Sequence, residues 1–220
     1  MKLRTNPWGL SMLAVTFLVL GPAGKASAGL LYQVTVDTSS FAGAPGSLEF
    51  QLNGVANADY VQGVISNFTS TGGTLGTIYP PINDASGDLG TTVTLDNASG
   101  VTIPNDFLQD FTYGSSFTFL VTFTGPGTLL PSVQTEFSMT LWDQQGGTGD
   151  ALFPIGGDPT SGAPALTIDM PVLNVVAGDP AVMPTAVPEP GSLVALTSGM
   201  VVLLTYGLKR RHCRGLRADR

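Results

Sequence analysis

The sequence predicts an all-β domain, an antiparallel β-sandwich of jelly-roll-like form, set between two apolar terminal segments. Three observations carry this reading. Between Gly29 and Val176 apolar and polar residues alternate with a period of two, the pattern of strands with one buried face. The strands are short and are separated by turn-forming pairs such as Asn53-Gly54, Gly72-Gly73, Ser99-Gly100 and Gly146-Gly147. Every strong periodicity in that interval is two rather than 3.6. Many short strands in one domain favour two antiparallel sheets packed face to face.

Residues 1–28 read as an export signal. Lys2 and Arg4 give a positive start, Leu10 to Leu20 is almost wholly apolar, and Gly21-Pro22 breaks the run. Ala26-Ser27-Ala28 then supplies the small-x-small pattern that signal peptidase reads, so cleavage is expected after Ala28. The alternative is an uncleaved anchor helix, but the apolar run is short for a span.

The exported domain, 29–176, opens with Tyr32, Val34 and Val36 alternating with polar neighbours, then Leu48, Phe50 and Leu52. Shorter strands are expected at Tyr60 to Phe68, Thr74 to Tyr79 and Thr91 to Asn97. Asn105 to Asp110 reads as a helical turn, with Asn105 as its cap and Phe107, Leu108 and Phe111 pointing inward. The clearest strand carries Phe117, Phe119, Val121 and Phe123 on one face, and another carries Thr135, Phe137, Met139 and Leu141. Ala165 to Met170 and Val172 to Val176 complete the set. Residues 177–186 are Pro-rich and read as an extended linker.

The C-terminal end has three parts. Pro188-Glu189-Pro190 and Gly191 stop any preceding structure. An apolar run from Ser192 to Leu208 follows, about 25 Å long as a helix and just enough for a thin bilayer. Residues 209–220 then hold Lys209, Arg210, Arg211, Arg214, Arg217 and Arg220, a basic tail of the kind that stays cytoplasmic.

Charge agrees with this topology. All nine basic residues lie at the two ends, and no Lys, Arg or His occurs between Ala26 and Leu208. The interval from Gly29 to Val187 carries 14 acidic residues and no basic side chain, so the whole-chain charge of −7 understates its acidity. Such a domain repels nucleic acid and anionic membrane surface. It has no internal salt bridge to form. It can attract divalent cations. The single cysteine, Cys213, sits in the tail, so the exported domain has no disulfide and depends on its core.

The Pro-Glu-Pro triplet, the span and the basic tail together resemble the PEP-CTERM sorting domain of exported bacterial proteins, over 187–214. The tail, ending Cys213-Arg214-Gly215-Leu216-Arg217-Ala218-Asp219-Arg220, is longer than the family usually has. The resemblance implies processing by an exosortase after export through the inner membrane of a Gram-negative bacterium. The chain would be anchored transiently by helix 192–208 and then reside at the cell surface or in the exopolysaccharide matrix. Tyr32 to Ser39 and Gly46 to Asn53 also loosely resemble the start of short proteins of that group, with no catalytic residues to transfer.

What the domain lacks narrows its chemistry. Without His or Cys it has no Ser-His-Asp triad, no Cys-His pair and no His or Cys zinc site. Without Lys or Arg it has no Schiff-base amine and no phosphate clamp. Paired carboxylates remain as a glycosidase option. The main expectation is a non-enzymatic matrix protein without a cofactor, and the alternative is a carbohydrate- or calcium-binding module. Asp84, Ser86 and Asp88 place oxygens at every second residue, as at the start of a calcium loop, but Leu95 stands where an EF-hand has its bidentate Glu. A plain polar turn is the other reading of this stretch. Trp142 lies on the polar face of its strand beside Asp143, placed either to stack on a sugar ring or to pack under the Gly-rich loop 144–164. Asn67-Phe68-Thr69 and Asn97-Ala98-Ser99 fit the N-glycosylation triplet, a chance match in a bacterial export substrate.

Overall fold

The computed structural model describes residues 29–55, 58–98, 104–126, 135–170 and 174–187. The expected signal peptide, the Pro-Glu-Pro triplet and the expected helix 192–208 lie outside the described residues. Among those described, no helix is long and apolar enough to cross a membrane.

The strands in chain order are β1 (Leu30–Asp37), β2 (Pro45–Gly54), β3 (Gln62–Thr71), β4 (Thr74–Ile78), β5 (Ala85–Asp88) and β6 (Thr92–Asp96). Then come β7 (Asn105–Thr112), β8 (Ser116–Thr124), β9 (Thr135–Trp142), β10 (Ala151–Leu152), β11 (Leu166–Met170), β12 (Asn174–Ala177) and β13 (Val182–Ala186). Sheet I has the order β13-β1-β8-β3-β6-β5. Sheet II has the order β12-β11-β9-β2-β7-β4, with β10 beside β9. All pairings are antiparallel. Single 3-10 turns lie at Ser39–Phe41 and Pro159–Ser161.

The alternation read from the sequence sets which face is buried. Along β8 the odd-numbered Phe117, Phe119, Val121 and Phe123 are buried and their even-numbered neighbours are not. Strand β8 lies centrally in sheet I, and its phenylalanines meet the inward face of sheet II ring to ring. Phe50 and Phe119 pack edge to face at 5.4 Å, Phe123 and Phe137 at 5.3 Å, and Phe111 and Phe117 at 5.7 Å. Each such ring removed from water contributes roughly 1.5–3 kcal/mol. Tyr113 is also fully buried, and its hydroxyl donates to the carbonyls of Ser47 at 3.1 Å and Trp142 at 2.9 Å. Gly46 lets this ring approach, because a Cβ there would lie 2.4 Å from Tyr113 Cε2.

Two expectations are corrected. Asn105 to Asp110 is not a helical turn but the first part of β7. Its inward residues are Asn105, Phe107, Gln109 and Phe111, a period of two, and Leu108 faces outward. Asn105 does not cap a helix: its amide donates to the Leu52 carbonyl and accepts from Asp84 N–H. The second correction concerns 177–186, expected as a linker. Ala177 ends β12, and Val182–Ala186 is strand β13, paired with β1 from Val36↔Val182 to Tyr32↔Ala186. A strand at a sheet edge tolerates Pro184, since only one side of its backbone must bond. The linker and the sandwich are therefore continuous.

Candidate functional site

The outward face of sheet II gathers polar side chains from five strands. Glu49, Gln51 and Asn53 alternate outward along β2, where Leu48, Phe50 and Leu52 point into the core. Asp106 of β7 stands directly opposite Gln51. On the other side of β2, β9 presents Glu136, Ser138, Thr140 and Trp142 opposite Asn53, Gln51, Glu49 and Ser47. Asp169 of β11 stands opposite Glu136, and Asn174 of β12 opposite Asp169. Outward side chains on adjacent strands lie about 4.5–5.5 Å apart at Cβ, so this is one continuous surface.

Two carboxyl pairs mark it. Asp106 hydrogen-bonds Glu49, and burial, then the Glu49 charge and that hydrogen bond, push Asp106 up to about 7. Two carboxyls can share a hydrogen bond only when one is protonated. Glu49 also accepts from Gln51 Nε2 and, at 2.7 Å, from the indole Nε1–H of Trp142. Asn53 Nδ2 continues the chain to Gln51 Oε1 at 3.3 Å. Asp106 Oδ1 and Asn53 Oδ1 are buried acceptors with no donor among the described residues. The second pair is Glu136 with Asp169. Glu136 is raised by burial, then by the charge and hydrogen bond of Asp169, which also accepts from Asn174 Nδ2 at 3.2 Å.

Loops wall one end of this face. Gly146 N–H donates to Asp110 Oδ1 at 2.9 Å, Gly147 N–H to Ser47 Oγ at 2.9 Å, and Ser47 Oγ to the Gln144 carbonyl at 2.9 Å. Trp142 is half-buried, and a Cβ placed on Gly162 would stand 3.3 Å from its ring. Thus the Gly-rich loop leans on Trp142, the packing arrangement expected as one of its two readings. The indole N–H is held by Glu49, not by the adjacent Asp143, whose Oδ1 accepts from Asp150 N–H.

The other sequence candidates lie elsewhere, on sheet I. Asp84, Ser86 and Asp88 lie at and just before strand β5, at the edge of sheet I. Ser86 and Asp88 belong to β5, and Asp84 immediately precedes it. Asp88 Oδ1 accepts from Gly90 N–H at 2.7 Å and shapes the β5–β6 turn. No three His, Cys, Asp or Glu side chains gather in a metal-holding arrangement among the described residues. Asn97 of the second glycosylation triplet is buried, accepting from Val61 N–H at 2.7 Å and donating to the Asp59 carbonyl. Asn67 of the first triplet is exposed at a bulge in β3 with φ of 52°.

Sequence reasoning found Trp142 and missed Glu49, Gln51, Asn53, Asp106, Glu136 and Asp169. The alternation along β2 and β9 already put Glu49, Gln51 and Glu136 on outward faces. Nothing in it told which strands are neighbours. No family model matches this chain, and no curated protein or solved structure matches it either.

Proposed function

We propose that this chain is an exported protein, processed at both ends, whose sandwich serves without catalysis as a component of the extracellular polysaccharide matrix. The observation that carries the reading is the pairing of β1 with β13. Strand β1 begins at Leu30, two residues after the expected signal-peptidase site at Ala28, and β13 ends at Ala186, two residues before Pro188. Val187 N–H donates to the Leu31 carbonyl at 2.8 Å. Both processing boundaries therefore leave the domain side by side at one end, which suits a domain held against a membrane at its N-terminus and later at its C-terminus. Signal peptidase and an exosortase are the partners this implies, with helix 192–208 as the transient anchor.

The strand order supports a jelly roll. Through β4, and again for β6 to β9, successive strands alternate between sheets. The runs β1-β8-β3-β6 and β2-β7-β4 follow the interleaved order of two nested Greek keys. Intact-mass measurement of the exported protein tests the reading. Expected is a chain beginning at Gly29 and ending near Pro188-Glu189-Pro190. A mass that still includes Lys209 to Arg220 would leave only a tail-anchored protein.

A second reading, carbohydrate binding, is favoured by the face of sheet II. An indole beside Glu49, Gln51 and Asn53 offers a ring together with donors and acceptors, the combination a neutral sugar needs. Neutral oligosaccharides should raise the melting temperature of the protein, and Trp142→Ala together with Gln51→Ala should abolish that rise. An unchanged rise in the double variant removes sheet II from the reading. The expected calcium site at Asp84, Ser86 and Asp88 gains no support from the extended strand on which two of them lie.

A further inference from the structure

The end of the sandwich opposite both chain boundaries carries a cavity of about 350 Å³, lined by Phe41, Leu152, Phe153, Pro154, Pro159 and Asp179 among others. It lies where β1 ends and β13 begins, some 25 Å along β1 from Leu30. We propose that this cavity binds a small organic cation, an amine carried on an aromatic or aliphatic body.

The cavity is built rather than incidental. Phe41 and Phe153 meet edge to face at 5.5 Å, so two rings contribute to one wall. Phe153 has φ of 56°, a left-handed conformation that a bulky residue adopts only when its surroundings hold it. The segment carrying it is fixed from outside. A Cβ on Gly178 would lie 2.2 Å from the Phe153 carbonyl oxygen, and Gly178 N–H donates to the Ala165 carbonyl at 2.9 Å. The volume is that of a small-molecule site, and polar and apolar surface line it in nearly equal measure.

Charge selects the ligand. Asp179 Oδ1 accepts from Ala181 N–H at 2.8 Å, a bond that does not engage Oδ2. The domain from Gly29 to Val187 contains no Lys, Arg or His, so no cation from the domain itself can answer this carboxylate. Its 14 acids repel an anionic ligand. An ammonium group is attracted both by a carboxylate and by the faces of aromatic rings. An apolar body on the same molecule fills the space between Leu152, Pro154 and Pro159. Only the outward orientation of the cavity rests on the export reading. The ligand class does not, and an adverse intact-mass result would leave it standing.

The test uses three molecules of one shape and different charge, phenethylamine, 2-phenylethanol and phenylacetate, with the full chain and calorimetric titration. The amine is expected to bind about tenfold more tightly than the alcohol, one charge-assisted contact's worth, and the acid not at all. Asp179→Asn keeps an oxygen for Ala181 N–H and should erase the preference for the amine. Should that variant fail to fold, amide chemical shifts in the unaltered chain decide. Phenethylamine should move Ala151, Leu152, Gly157 and Asp179. No binding of the amine at millimolar concentration, an amine preference that survives in Asp179→Asn, or shifts confined to residues elsewhere would each overturn the proposal.

Discussion

The outward faces of the two sheets have the same alternation and opposite chemistry. Sheet I shows mostly hydroxyls: Thr35 and Thr118 bond each other at 3.2 Å across β1 and β8, and Thr122 and Thr94 flank Val64. Its acids sit at strand ends and face backbone. Asp37, Asp88 and Asp96 each accept from the N–H two residues on, at 2.9, 2.7 and 3.0 Å. Asp158 and Asp179 do the same in loops. These are turn-making aspartates, five of the domain's 14 acids. On sheet II the acids lie in mid-sheet and face each other. Bonds to Ser39 pull Asp37 below its ordinary value, whereas burial and a neighbouring carboxyl push Asp106 and Glu136 up. An acid-rich domain without Lys, Arg or His thus divides into carboxylates that shape the chain and carboxyls held together on one face.

The largest effect expected from breaking the pattern is at the core. Phe119→Asp puts a charge among Phe50 and Phe117 and should unfold the domain, at a cost of roughly 4–5 kcal/mol or more, read by chemical denaturation. A smaller effect separates the two faces. Asp106 has a folded pKa above its ordinary 3.8, so between about pH 4 and 7 the folded state holds a proton that the unfolded state has lost. Stability from this group is full below about pH 4 and is lost as pH rises through about 7. With a discount for solvent screening at a half-exposed pair, the loss is about 1–2 kcal/mol. Asp106→Asn should therefore flatten the decline between pH 5 and pH 8, and a decline of unchanged size in that variant would put its cause elsewhere. Smallest is Thr118→Asp on the outward face of sheet I. It should cost under about 1 kcal/mol, and equal damage from Thr118→Asp and Phe119→Asp would mean the faces of β8 are reversed.

Much of the architecture was legible because period-two patterning and turn residues act locally. The inward sets on β1, β2, β8 and β9 follow directly from alternation. Strand β7 was misread because Asn105 has a helix-capping side chain and Phe107, Leu108 and Phe111 also fit a helical face. Only the neighbouring β2, through the Leu52 carbonyl, decides for the strand. Strand β13 was misread because prolines argue against strands in general but not against edge strands, and edge position is a property of the sheet. The carboxyl pairs were illegible for the same reason. Glu49 and Asp106 are far apart in the chain, and only the β2–β7 register makes them diagonal neighbours.

The division of the acids rests most directly on Asp106. Carboxyl-carbon NMR titration of the isotopically labelled protein, resolved for Asp37 and Asp106, measures it. The account predicts that Asp106 titrates near 7 and Asp37 below its ordinary 3.8. An Asp106 that titrates near 4, together with Asp37, would mean that the carboxyls of sheet II are independent, solvated charges like any others on a surface.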